Sequence, residues 1–161
     1  MVINGTFDWV YEEELGLRDG FRWSPDGKAI AYWQLDEDGV REMHMIDNVS
    51  GYYPKVITFC YPKTGETNAK CRVGVVSLDT GNTIWMKVPG DMRNHYIARM
   101  DWAENSNELM LQQLNRLQNT NRVMLANADS GGVKTIFTDR DDAWVEVRFG
   151  FTKWIDDGRQ F

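Results

Sequence analysis

The chain has 161 residues, 42% of them hydrophobic and 26% charged, which is enough apolar material for the core of one ordinary domain and too much for a disordered chain. Its net charge of −6, with acidic and basic residues interspersed and no Lys/Arg stripe, speaks against a nucleic-acid partner. No apolar run reaches the roughly 18 residues of a membrane-spanning helix, and the opening MVINGTFDW has neither the basic nor the apolar region of a signal peptide.

The first segment with chemical content is DWVYEEEL, Asp8 to Leu15, where three glutamates follow Trp9, Val10 and Tyr11. Asp8 suits an N-cap, so a short helix is expected over Trp9 to Leu15, with Glu12 near its favourable N-terminal end. On such a helix Glu13 and Glu14 lie about 100° apart and can converge on one small cation while Trp9 and Val10 pack beneath. A primary ammonium, with three donors, is the natural partner of two such carboxylates. The residues themselves leave a plain solvated acidic turn equally open.

From Phe21 onward the pattern is β. Runs rich in branched and aromatic residues occupy 28–34, 72–78, 82–88, 108–114, 121–127 and 133–138, separated by SPDG, LDTGN, AENSN and ADSGG. LQQLNRLQN (111–119) also fits a helical stripe, but its neighbours alternate, which favours a strand. Trp23, Trp102 and Trp154 each precede a turn and a strand, with the spacing of the last two close to that of a four-stranded propeller blade. The interval from Trp23 to Trp102 is longer, and its excess falls in the Tyr- and Pro-containing stretch 35–70.

The expected fold is therefore all-β: a partial β-propeller of about two four-stranded antiparallel blades and part of a third, with an inserted arm and a short helix carrying the glutamates. Its divisions would be a glutamate segment at 1–20, a blade at 21–90 with the arm at about 40–65, a second blade at 91–140 and the start of a third at 141–161. The three tryptophans are expected to pack the blades.

Cys60 and Cys71 are too few for a disulfide scaffold; they could face each other across a hairpin or remain two ordinary thiols. His44 and His95 stand too far apart in sequence to suggest a Cys/His metal site, and neither metal nor cofactor is expected. Asn4-Gly5-Thr6 and Asn48-Val49-Ser50 match the glycosylation pattern, which would usually stay unoccupied in a bacterial protein.

DWVYEEE followed by FRWSPDGKAIAYWQ, then YYPK, CYPKTGETNAKCRVGVVSLDTG and HYIARMDWAENSNELMLQQLNRLQN, resembles the dipeptidyl peptidase IV group of the prolyl oligopeptidase family of serine peptidases, from about Asn4 to Trp144. The resemblance implies an N-terminal propeller joined to an α/β-hydrolase domain in the same parent chain. It implies that Glu13 and Glu14 bind the free α-ammonium of a peptide substrate, so that cleavage falls two residues in, after Xaa-Pro or Xaa-Ala. Glu12 inherits no such role. It further implies a homodimer formed through the arm, about Val40 to Gly65, and a periplasmic, secreted or cell-surface location, in a bacterium to judge by the short loops.

The family's Ser-His-Asp triad lies in the hydrolase domain, and this chain has no GxSxG elbow, so it contains no catalytic residue and alone should hydrolyse nothing. Arg148-Phe149 is a residue out of register with a family Arg-Phe pair and is not assigned. Arg116 and Arg122, beside LQN, are expected on the surface, with orientation of the glutamates as the alternative. A reading of another class is a non-enzymatic propeller that scaffolds protein–protein contacts, with the arm as its docking element.

Overall fold

The computed structural model describes residues 1–147, 154 and 155. Chain order is β1 (Val2–Asn4), α1 (Trp9–Glu13), β2 (Phe21–Trp23), β3 (Ala29–Asp36), β4 (Glu42–Asp47), β5 (Lys55–Cys60), β6 (Lys70–Ser77), β7 (Thr83–Trp85), β8 (His95–Trp102), β9 (Glu108–Asn115), β10 (Thr120–Asn127) and β11 (Val133–Arg140). The architecture is all-β and antiparallel, a partial propeller with one helix of five residues.

The first sheet has the order β1-β3-β6-β7, and β2 pairs with the same edge of β3 that β1 uses. Val2–Asn4 lie against Gln34–Asp36, and Phe21–Trp23 against Ile30–Tyr32, so β1 and β2 are two pieces of one edge interrupted by residues 5–20. The interruption is pinched shut at its base. Gly20 N–H donates to the Gly5 carbonyl at 3.1 Å, while Trp33 donates to Gly20 and accepts from Gly5, both at 3.0 Å. A Cβ on Gly20 would stand 2.6 Å from the Gly5 carbonyl carbon, so only glycine permits this closure. The glutamate segment is thus a loop extruded from a sheet edge.

The second sheet is a meander in the order β11-β10-β9-β8. Both sheets feed one core. Ala31, Trp33 and Leu35 alternate inward from β3, Cys71, Val73 and Val75 from β6, and Ile97, Ala98, Met100, Leu109, Leu111, Met124 and Ala126 meet them from β8 to β10. Polar pegs cross the junction. Trp33 Nε1 donates to the Ile97 carbonyl at 2.9 Å, and Trp102 Nε1 to the Arg22 carbonyl at 3.1 Å. His95 is buried, which lowers its pKa; its Nδ1 accepts from Gln113 at 2.9 Å while Nε2–H faces the Cys71 carbonyl at 3.3 Å, the geometry of a neutral ring.

A third sheet contains only β4 and β5, paired with each other through six residues a side and almost wholly exposed. It leaves the first sheet between its two central strands, β3 and β6, and falls within the stretch expected to form an arm.

Some expectations are corrected by the structure and others hold. Trp23 is 55% exposed and does not pack the sheets, whereas Trp102 is buried at 5%. The run at 82–88 is a strand only over Thr83–Trp85, while residues 111–119 are, as the alternation favours, a strand to Asn115, followed by a turn. Cys60 and Cys71 are both free thiols; Cys71 is buried, which pushes its pKa up to about 12. Of the segment 141–161, residues 148–153 and 156–161, including Arg148 and Phe149, lie outside the described residues.

Candidate functional site

Helix α1 is built by local chemistry at both ends. Asp8 adopts extended backbone and its carboxylate accepts from Tyr11 N–H at 3.0 Å, satisfying one of the free amides of the first turn. At the other end the chain turns through Gly16 at φ 66°, and Leu17 N–H returns to the Tyr11 carbonyl at 3.0 Å. The helix therefore stops at Glu13, with Glu14 as its C-cap, and Leu15 falls outside it, two residues beyond the observed end. Replacing Asp8 by Ala should cost about 1 kcal/mol of stability through the lost cap, and Asp8→Asn should retain most of it. Urea unfolding of the three proteins measures the difference.

Within the helix itself one side chain is buried. Tyr11 is 2% exposed, stacks on Phe7 at 5.5 Å with the rings 9° from parallel, and its hydroxyl accepts from Ile97 N–H at 3.0 Å. Phe7 in turn meets Trp33 edge-on at 5.2 Å. Ile97 thus has its N–H satisfied by the helix and its carbonyl by Trp33, so the helix sits across the junction of the two sheets. Trp9 and Val10, expected beneath the glutamates, are not the seat: Val10 is half-buried and Trp9 is 41% exposed. Leu15 and Leu17 are buried and complete the anchorage.

Arg99 was not foreseen from the sequence. Its guanidinium donates to the Leu15 carbonyl at 3.0 Å and to the Val147 carbonyl at 2.8 Å, tying the exit of the glutamate segment to β8 and to the chain beyond β11. Burial, which takes the cation out of water, lowers its pKa. An isolated Arg between Ala98 and Met100 carries no local signal of that role. Arg116, by contrast, donates to the Glu66 carbonyl, and Arg122 to Gln113 Oε1 at 3.4 Å; neither contacts a glutamate of α1.

Glu13 and Glu14 are adjacent and exposed at the helix's C-terminal end. Among the described residues neither carboxylate has an ion-pair or hydrogen-bond partner. Two like charges side by side on a platform fixed by Tyr11, Leu15 and Leu17 repel each other, and a cation held between them would relieve that repulsion. A metal site has no such support, because no group of three or more His, Cys, Asp or Glu converges among the described residues. No helix among them is long and apolar enough to cross a membrane.

Behind the helix lie two buried acids. Asp8 has its pKa raised by burial, and Glu37, at the root of the exposed hairpin, is raised by burial and then by the charge of Asp8.

Comparison with known proteins agrees with this architecture. The whole chain, residues 1–161, matches the family described as the dipeptidyl peptidase IV (DPP IV) N-terminal region. Among curated relatives, venom dipeptidyl peptidase 4 of Vespa velutina is 30% identical over 92% of this chain and 20% of its own length. Inactive dipeptidyl peptidase 10 of Rattus norvegicus is 28% identical over 100% of this chain and 21% of its own. The crystal structure of Porphyromonas gingivalis dipeptidyl peptidase 4 superposes with a TM-score of 0.83 at 34% identity, over 89% of this chain and 20% of that one. The chain thus spans about a fifth of the length of the relatives it matches. A glutamate-bearing loop extruded from one propeller sheet, in a chain matched from end to end, places this protein in the dipeptidyl peptidase IV N-terminal region family.

Proposed function

We propose that this chain is the substrate-recognition part of a serine dipeptidyl peptidase, in which Glu13 and Glu14 hold the free α-ammonium of the peptide. The observation that carries the reading is the pair of adjacent carboxylates, without a partner among the described residues, on a helix whose seat is fixed at the junction of two sheets. Holding the ammonium at a fixed place determines which carbonyl reaches the nucleophile, so the anchor acts on rate as well as affinity. The nucleophile, base and orienting acid belong to an α/β-hydrolase domain of the parent chain, which performs acyl transfer on N-terminal Xaa-Pro and Xaa-Ala peptides. Hydrolysis of such dipeptide substrates by the parent, and its loss on substitution of either glutamate, is the test. A parent without the serine nucleophile would be a non-hydrolytic propeller scaffold, and the same assay separates the two.

The exposed hairpin is the dimerisation element in this reading. Met45 and Ile57 are exposed on one face of its two strands, Ile46 and Val56 on the other, and Tyr52 and Tyr53 at its tip, apolar surface that a second copy would cover. Deleting residues 42–62 should halve the mass of the parent in light scattering; an unchanged mass would place the dimer contact elsewhere. The periplasm or the cell exterior is the location this substrate class implies.

A further inference from the structure

The exposed hairpin rests on the body of the protein at a telling place. Its strands pair only with each other, and the ring that meets its root belongs to α1. Trp9, the first residue of the helix, lies 5.1 Å from Tyr61 and 5.8 Å from Phe59, and those two rings stand edge to face at 6.2 Å. Phe59 is in β5 and Tyr61 follows it, so two of the three rings come from the hairpin and the third from the helix that carries the glutamates.

This clasp is not what seats the helix. Tyr11, Leu15 and Leu17 do that from the core side, and Trp9 keeps 41% of its surface exposed although it touches both hairpin rings. Trp9 and Glu13 are four residues apart and so share a helix face. A helix of five residues has little rigidity of its own, and its orientation follows its side contacts.

We propose that Trp9 is a positioning residue for Glu13: it transmits the placement of the hairpin to that carboxylate through the Trp9–Phe59–Tyr61 clasp. The inference rests on the reading of Glu13 and Glu14 as the ammonium anchor. It makes the hairpin part of the substrate site's geometry in addition to any role in association.

The test uses the full-length peptidase and an Xaa-Pro chromogenic dipeptide. Trp9→Ala, and separately Phe59→Ala on the hairpin, should each lower kcat/KM by about tenfold, within the range that misplacement of a positioning group costs. Trp9→Phe, which keeps a ring in the clasp, should recover most of the loss, and the mass in light scattering should stay that of the parent. The deciding measurement is a double-mutant cycle. In a Glu13→Gln background the further loss on Trp9→Ala should fall below about twofold, because the group being positioned has lost its charge. An equal loss in both backgrounds, or a changed mass, would overturn the positioning role and leave the anchor standing. Full efficiency in Glu13→Gln itself would overturn both.

Discussion

Glu13→Gln or Glu14→Gln in the full-length protein should lower kcat/KM on Xaa-Pro dipeptides by about 2–5 kcal/mol of transition-state stabilisation. At 1.36 kcal/mol per decade this is roughly 1.5 to 3.7 orders of magnitude in rate. The substitution is nearly isosteric, so the helix, its Asp8 cap and the Tyr11 seat remain as they are. What changes is charge. The two carboxylates have no basic partner among the described residues. If the pair anchors the peptide as proposed, binding would exclude water from it, and a charge-assisted hydrogen bond in that setting is worth far more than the same contact in solvent. Losing one carboxylate also lets the peptide slide, so kcat should fall together with kcat/KM. A loss smaller than about twofold would sink the assignment.

Trp33→Ala should be the most damaging change to the fold, costing about 3–5 kcal/mol in urea unfolding. The side chain is fully buried, and it connects three things at once. Its ring receives Phe7, which supports Tyr11; its Nε1–H satisfies the Ile97 carbonyl; and its backbone holds the Gly5–Gly20 pinch closed. The backbone bonds survive truncation, but the cavity and the unsatisfied carbonyl do not heal each other. Trp33→Phe should fall between Trp33→Ala and the parent, because it restores volume without the donor. Near-equality of Trp33→Ala with the parent would mean that the sheets are held together elsewhere.

The legibility of this protein divides along a physical line. Strands β3, β6, β9, β10 and β11 were readable because alternation and turn chemistry are local, whereas β8 was not among the runs read from the sequence; SPDG, LDTGN and ADSGG place Gly27, Gly81 and Gly131 at φ 72°, 70° and 69°, where glycine costs least. The helix was readable for the same reason, since Asp8 caps it from three residues away. Its end was misjudged by two residues, because whether Leu15 continues a helix or turns into the core depends on Gly16 and on a pocket that no local pattern reveals. Trp23 was misjudged for a related reason. An aromatic before a turn looks like core, but only the neighbouring surface determines whether it is covered.

What sequence by itself determined is an all-β chain, its turns, and a capped acidic helix bearing Glu13 and Glu14. What only the tertiary structure decided is where that helix stands and what holds it. Tyr11 reaches Ile97 across 86 positions, Arg99 reaches Leu15 across 84, and Trp9 meets rings some 50 residues further along the chain. Each of these contacts joins segments brought together only when β1 and β2 share an edge of β3 and the second sheet closes over it. The reason is that periodicity and capping energies are properties of neighbours in the chain, whereas the seat of a binding site is a property of neighbours in space.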